Sequence, residues 1–248
     1  MIALVTGSGR GIGKVIAEKF RAAGASVIRH DHPDRATTGS GDDPDFPLLT
    51  ANLEHYAEIE ALFRTVRQRY GRLDILVNNA ALDSTRAFDE VDESFWDQLM
   101  GANLKASFFC AQQAVRLMPP GGGGRLIFIS SVHARASMPG YAVYAASKGG
   151  IEALVTQLSI DLAGAGITVN AIAPGAIEVE KFREHPSYDR EALAAEIPRG
   201  RVGQPEDVAA MAEFLASAKA EWITGQTFTV DGGTRARLYL YAGRTIPR

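Results

Sequence analysis

Short apolar and β-branched runs alternate with stretches of helical spacing along almost the whole chain, and this alternation narrows the fold more than any other feature. The runs are IALVT near the start, SVIRH at 26–30, LDILVN from 73, RLIFIS from 125, ITVNAIA from 167 and TFTV at 227–230. Helical spacing fills the intervals at roughly 12–23, 55–70, 93–117, 142–164 and 205–217. Strands separated by helices join through right-handed crossovers, so the expected architecture is α/β: a doubly wound, mostly parallel sheet with helices on both faces. With 248 residues, no internal repeat and no linker, a single domain over 1–248 is expected. In such a sheet, ligands collect in the crevice beyond the carboxyl ends of the strands.

Three segments fall outside the alternation. The polar stretch from Asp31 to Asp45, with Pro33, Pro44 and Pro47 nearby, reads as an extended surface loop. Residues 176–200 are charged, contain Pro186 and Pro198, and follow a strand directly, which makes them a candidate substrate lid. Residues 234–248 form a C-terminal tail, and GGGG at 121–124 is a helix-to-strand turn.

Composition removes several classes of function. Lys and Arg number 26 against 29 acidic residues, a formal charge of -3, so no basic field invites a nucleic-acid backbone. The single cysteine, Cys110, lies within ASFFCAQQAV, which excludes an internal disulfide and a thiolate metal cluster. It reads as a small buried hydrophobe, and no metal site is expected. Met1 leads directly into IALV without a leader pattern or a run of membrane-spanning length, so a cytoplasmic location without membrane contact is expected.

TGSGRGIG at 6–13 follows the first strand and opens the first helix. Gly7, Gly11 and Gly13 let the backbone turn tightly and approach a pyrophosphate, whose charge then meets the helix N-terminus. The spacing departs from G-x-G-x-x-G, since Ile12 stands where the last glycine would be, and Ser8 and Val15 exclude a Walker loop. Asp31, at the end of the second strand, lies eighteen residues beyond Gly13 (31 − 13). A carboxylate there accepts from ribose hydroxyls and repels a 2′-phosphate, which points to NAD. Arg10, His32 and Arg35 are close enough in sequence to soften that repulsion and leave NADP open.

YAASK places Tyr144 and Lys148 four apart on a helix, hence on one face. A nearby cation stabilises a phenolate, so the pair is expected to lower the tyrosine pKa and move a proton. Ser131, at the end of RLIFIS, would hydrogen-bond the reacting oxygen, and Asn103 could hold a water linking the lysine to solvent.

Taken in order, TGSGRGIG, NNAA at 78–81, Asn103, ISS at 129–131, YAASK, NAIAPGAI at 170–177, RVGQPEDVA at 201–209 and ITGQTFTVDGG at 223–233 resemble the short-chain dehydrogenase/reductase family over nearly the whole chain. The resemblance implies a single Rossmann-type domain and a catalytic tetrad of Asn103, Ser131, Tyr144 and Lys148, with Lys148 also holding the nicotinamide ribose. It implies cofactor contacts along Gly7, Ser8, Gly9, Arg10, Gly11, Ile12 and Gly13, and from Asp31, Asn52, Leu53, Asn79, Ala80, Ala81, Pro174, Gly175 and Ile177. It also implies a homotetramer built through the two long helices. Two positions depart from the family pattern. Ala81 replaces a glycine, and Val179 replaces a threonine that would bond the nicotinamide carboxamide.

SSVH at 130–133, GAI followed by EKF within 175–182, and AGR at 242–244 resemble bacterial glucose 1-dehydrogenases locally. On that likeness His133, Arg135 and Arg244 are candidate substrate residues. The tail adds Arg235, Arg237 and Arg248 beside Tyr239 and Tyr241, which suits polyhydroxylated or anionic ligands better than an acyl chain. The expected substrate is therefore a small molecule, a sugar or polyol oxidised at a secondary or anomeric hydroxyl. The alternatives are an NADPH-dependent 3-oxoacyl thioester reductase and a nucleotide-binding module without catalysis.

Overall fold

A computed structural model describes residues 1–35 and 43–237. Seven parallel strands form one sheet in the order β3-β2-β1-β4-β5-β6-β7. They are β1 (Ile2–Val5), β2 (Ser26–Asp31), β3 (Leu48–Thr50), β4 (Ile75–Asn78), β5 (Gly124–Ile129), β6 (Ile167–Pro174) and β7 (Thr227–Val230). The helices between them are α1 (Gly11–Ala22), α2 (Tyr56–Tyr70), α3 (Glu93–Met100), α4 (Ala106–Val115), α5 (Ala142–Asp161), α6 (Glu180–Arg183), α7 (Arg190–Glu196) and α8 (Pro205–Ala216).

The apolar runs are continuous rather than alternating because helices cover both faces of the sheet. Successive strand residues enter two different cores. Leu4, Ile28, Leu76, Leu126, Phe128 and Val169 pack with α2, α4 and α5. Ala3, Val5, Val27, Val77, Ile127 and Ile172 pack with α1 and α8. Cys110 is fully covered in the first of these cores, where burial pushes its thiol up to about 12. It is inert packing, as its surroundings in sequence indicated.

Three elements differ from the sequence reading. β3 went unrecognised, because three residues at a sheet edge are too few to display a period of two. The predicted helix over 93–117 is broken by a π-helical turn at Gly101–Lys105, which carries Asn103. Such turns add a residue to the helix and re-aim its side chains. The expected helix to 164 ends at Asp161, and the chain leaves through a short 3₁₀ turn closed by Gly166 at φ 71°. No described helix is long and apolar enough to cross a membrane.

The strand order fixes where a ligand can sit. From β1 the chain winds outward through β2 and β3, then returns to place β4 on the other side of β1. The loops after β1 and β4 therefore diverge to opposite faces and leave a crevice between them.

Candidate active site

The crevice is built first from backbone. Gly7 follows β1 at φ 62°, and a Cβ there would lie 2.8 Å from Ala80 Cα. Thr6 Oγ1 accepts from the amides of Asn79 and Ala80, both at 3.0 Å, and Asn79 Nδ2 donates to the carbonyls of Thr6 and Gly7 at 2.9 Å. Asn79 thus shapes the glycine loop from within. Ser8 does the same: it is fully buried, its Oγ donates to the Val5 carbonyl at 2.8 Å, and its amide donates to the His30 carbonyl. Ser8 was expected on the ligand side. Its amide and hydroxyl are instead spent beneath the loop.

Beyond the loop, a cleft of about 260 Å³ is lined by Gly7, Asp31, Asn52, Leu53, Ala80 and Ala81, among others. These predicted positions come together although they lie on loops after four different strands. Asp31 uses Oδ1 to accept from the His32 amide at 2.8 Å, and a side chain at Gly9 would collide with its carboxylate. Arg35 and His32 line the same cleft. The first turn of α1 carries no acidic residue, and its N-cap, Arg10, makes no side-chain capping bond. That helix end is electrostatically suited to a phosphate. A nucleotide diphosphate therefore fits the residues present: a floor where a Cβ would intrude, an uncapped helix N-terminus, and a carboxylate lining the cleft at the end of β2.

The predicted proton-transfer residues also converge. Ser131 ends the turn after β5 and shares a hydrogen bond with Tyr144. Lys148 is 2% exposed, donates from Nζ to the Ile129 carbonyl at 2.8 Å, and lies 5.6 Å from the Tyr144 ring centroid. Burial pulls its pKa from 10.5 down to about 8, against the opposing pull of Asp83. Tyr144 runs contrary to expectation. Burial, then the Asp83 carboxylate, push its pKa well above 10, and only the Ser131 bond acts the other way. Desolvation disfavours the phenolate, so the protein alone holds the phenol protonated.

The Asn103 side chain is engaged by protein groups. Oδ1 accepts from the Leu82 amide at 2.7 Å, and Nδ2 donates to the Leu82 carbonyl at 3.0 Å and to Ser147 Oγ at 3.1 Å. The π-helical turn carries this buried amide, which fastens the loop after β4 over the crevice.

Of the predicted substrate residues, His133 is in place. Its ring stacks on Tyr141 at 4.2 Å between centroids and meets Tyr144 edge-on at 5.8 Å. Arg135 is drawn elsewhere: its Nε donates to Glu152 Oε2 at 2.6 Å, a nearly buried carboxylate that also accepts from Ser130 Oγ. Arg244 lies outside the described residues, as do Tyr239, Tyr241 and Arg248. The first part of the tail turns back toward α7, where Arg237 Nη1 donates to the Glu196 carbonyl at 2.9 Å.

Pro174 ends β6, Gly175 and Ile177 follow it, and the 176–200 segment leaves from there. A Cβ on Gly11 would lie 3.3 Å from Val179 Cγ1 and 3.7 Å from Glu180 Oε2, so this segment begins against the glycine loop. Lys181 Nζ donates to the Asp83 carbonyl at 2.6 Å and to its carboxylate at 3.2 Å, joining α6 to the opposite rim. At the base of the segment Glu178 accepts from Tyr188 and Gln204 and pairs with Arg190, bonds that hold its carboxyl below the usual range.

Three residues were not singled out by sequence. They are Asp83, whose charge acts on Tyr144, Lys148, His133 and Tyr141; Tyr141, the stacking partner; and His30, buried under the cleft. A histidine directly before Asp31 in β2 was the available signal for the last. Asp83 and Tyr141 carry none, because only folding brings their loops together.

A family model described as enoyl-(acyl carrier protein) reductase matches residues 7–235. The 3-oxoacyl-[acyl-carrier-protein] reductase FabG of Vibrio cholerae is 36% identical over 239 residues, covering 94% of this chain and 96% of that protein. An NADPH-dependent aldehyde reductase-like protein of Arabidopsis thaliana is 34% identical over 253 residues, with 94% and 93% covered. Among solved structures, ligand-free aldohexose dehydrogenase of Thermoplasma acidophilum superimposes with a TM-score of 0.88 at 25% identity, over 98% and 97% of the two chains. A mutant short-chain dehydrogenase/reductase of Serratia marcescens gives 0.84 at 32% identity, over 94% and 97%.

The burial of Lys148 has a measurable consequence for stability. Its folded pKa of about 8 lies below its ordinary 10.5, so the unfolded chain binds the proton more tightly. The resulting destabilisation is fully present below pH 8 and fades as pH rises toward 10.5. Lys148→Met is therefore expected to raise unfolding free energy at pH 7 by roughly 1–3 kcal/mol, with the gain shrinking toward pH 10. Urea denaturation at both pH values checks this, and a loss of stability equal at both would contradict it.

Proposed function

The chain belongs to the short-chain dehydrogenase/reductase family, and on that premise we propose that it oxidises a hydroxyl of a neutral sugar or related polyol, with NAD as the acceptor. It is an NAD(P)-dependent oxidoreductase, and what the reading adds is the substrate and the choice of dinucleotide. One observation carries the substrate class: the wall beside Tyr144 is the stacked pair His133 and Tyr141, with the Asp83 carboxylate acting on all three rings. Aromatic faces suit the C–H face of a sugar ring, and a carboxylate accepts from paired hydroxyls. An acyl chain would lie against a charge. An anionic sugar would meet repulsion from Asp83, so the neutral class is favoured over the anionic one.

In this reading Asp31 accepts from the adenosine ribose hydroxyls, the glycine loop and the α1 N-terminus take the pyrophosphate, and Lys148 faces the nicotinamide ribose. When bound, the nicotinamide supplies the site that accepts or returns a hydride. Ser131 Oγ bonds the reacting oxygen and keeps it against Tyr144. Tyr144 Oη exchanges the proton. Because the protein alone holds the phenol protonated, Tyr144 carries the proton that reduction consumes; for oxidation it must first release that proton, and Lys148 is the adjoining titratable group. Residues 176–200 act as the lid, with Lys181 and Asp83 as its clasp. The same reading keeps a cytoplasmic homotetramer, joined through α3–α4 and α5, where Trp96, Phe108 and Ile160 are exposed.

A second reading, NADPH-dependent reduction of 3-oxoacyl thioesters, is favoured by the 36% identity to FabG reductases. The two separate in one assay. NAD with a panel of aldoses and polyols is expected to give turnover, and NADPH with an acetoacetyl thioester far less. The reverse result would replace the sugar reading with the reductase reading.

Tyr144→Phe is expected to bind NAD as the wild type does and to lose about 10²-fold or more in kcat. Turnover near the wild-type rate would refute the proton role. Asp31→Ala is expected to narrow the gap between NAD and NADP in kcat/KM, as NAD loses ribose bonds and NADP loses a repulsion. An unmodified enzyme that prefers NADP would count against the role given to Asp31.

A further inference from the structure

We infer that His30 is a positioning residue, whose imidazole cross-links the Gly7 amide to the Ala51 carbonyl and so sets the width of the cleft that takes the adenosine end of the dinucleotide. This rests on the dinucleotide part of the reading above and goes beyond it, because no family motif among those matched includes His30.

Gly7 turns the chain at φ 62° just after β1, and its N–H meets a side chain instead of a strand partner. Among the described residues its acceptor is His30 Nδ1, at 3.4 Å. On the other side of the ring, Nε2 lies 3.1 Å from the Ala51 carbonyl. A carbonyl only accepts, so the proton sits on Nε2 and the lone pair on Nδ1 faces Gly7. The backbone of His30 is fastened to the same loop: its amide donates to Ser8 Oγ at 3.0 Å and its carbonyl accepts from the Ser8 amide at 2.8 Å. One residue thus joins the loop after β1 to the segment after β3. The cleft they bound is lined by Gly7, His30, Asp31, Ala51 and Asn52.

The ring is suited to this task because it stays neutral. It is 2% exposed, and burial pulls its pKa down to about 4, with Asp31 and His32 as the neighbouring charged groups. A protonated ring would turn a second N–H toward the Gly7 N–H, donor against donor. An aliphatic side chain would fill the space yet leave the Gly7 amide and the Ala51 carbonyl without the two bonds the ring makes.

The test separates positioning from mere packing. His30→Leu removes both bonds, His30→Asn keeps an acceptor near the Nδ1 position, and His30→Gln keeps a donor near Nε2. In calorimetric titration the Leu variant is expected to bind NAD about tenfold more weakly than wild type, with the Asn variant regaining most of that loss. KM for NAD should follow the dissociation constant, while kcat at saturating NAD stays within about twofold. Without any dinucleotide, hydrogen exchange at the Gly7 amide should be slow in the wild type and the Asn variant and fast in the Leu variant.

A folded Leu variant with wild-type NAD affinity, or with unchanged Gly7 exchange, overturns the inference. If the Leu variant does not fold, equal Gly7 exchange and equal affinity in the Asn and Gln variants overturn it. Wild-type protein that binds neither NAD nor NADP defeats the dinucleotide reading instead and removes the ligand half of the inference, while Gly7 exchange still judges the cross-link.

Discussion

The crevice depends on the loops after β1 and β4 approaching within a distance that excludes a side chain at Gly7. Strands β1 and β4 are neighbours at the point where the winding of the sheet reverses, so their loops leave in opposite directions from adjacent ends. Without a covalent link, that junction is held by polar groups. Thr6 Oγ1 accepts two amides from the far loop, and Asn79 Nδ2 returns two bonds to the near one. Thr6 is buried and its partners are partly so, and an unmade bond at a fully buried group would cost about 1–3 kcal/mol. The geometry is accordingly rigid before any ligand arrives, which is what a phosphate site made from backbone amides requires.

A second tier of residues holds the first. Asn103 reaches the Leu82 backbone only because a π-helical turn interrupts its helix, and the loop carrying Asp83 is thereby fixed beside Tyr144. Burial then sets the protonation states. Lys148 is brought down to about 8 and Tyr144 is held as the phenol, so in the protein alone the phenolic proton stays on the tyrosine. Electrostatics from Asp83 tempers the first shift and enlarges the second. A single carboxylate on a loop thus touches both the chemistry and the clasp with Lys181.

Sequence relatives and structural neighbours emphasise different substrates, carrier-bound acyl groups in FabG and aldohexose in the archaeal dehydrogenase. The shared scaffold explains both likenesses without deciding between them, since fold does not carry substrate identity. The substrate and dinucleotide readings rest on local features instead: His133, Tyr141 and Asp83 around Tyr144, and His30 beneath the cleft that Asp31 lines.

The sequence by itself determined the α/β class, six of the seven strands, the glycine loop, Asp31 at the end of β2, and the Tyr144–Lys148 pair. Each is written in local spacing: apolar runs of strand length, glycines between strand and helix, four residues to a helical turn. β3 escaped because three residues at an edge have no period to read. Tertiary structure alone decided the rest. It turned Ser8 and Asn103 inward to bond backbone, drew Arg135 onto Glu152, brought Asp83 and Tyr141 to Tyr144, and set the pKa of the tyrosine above rather than below its ordinary value. The physical reason is common to all of these. Hydrogen-bond partners and desolvation are properties of neighbours in space, and spacing along the chain does not reveal them, whether the partners are distant, as Asp83 and Tyr144 are, or close, as Tyr141 and Tyr144 are.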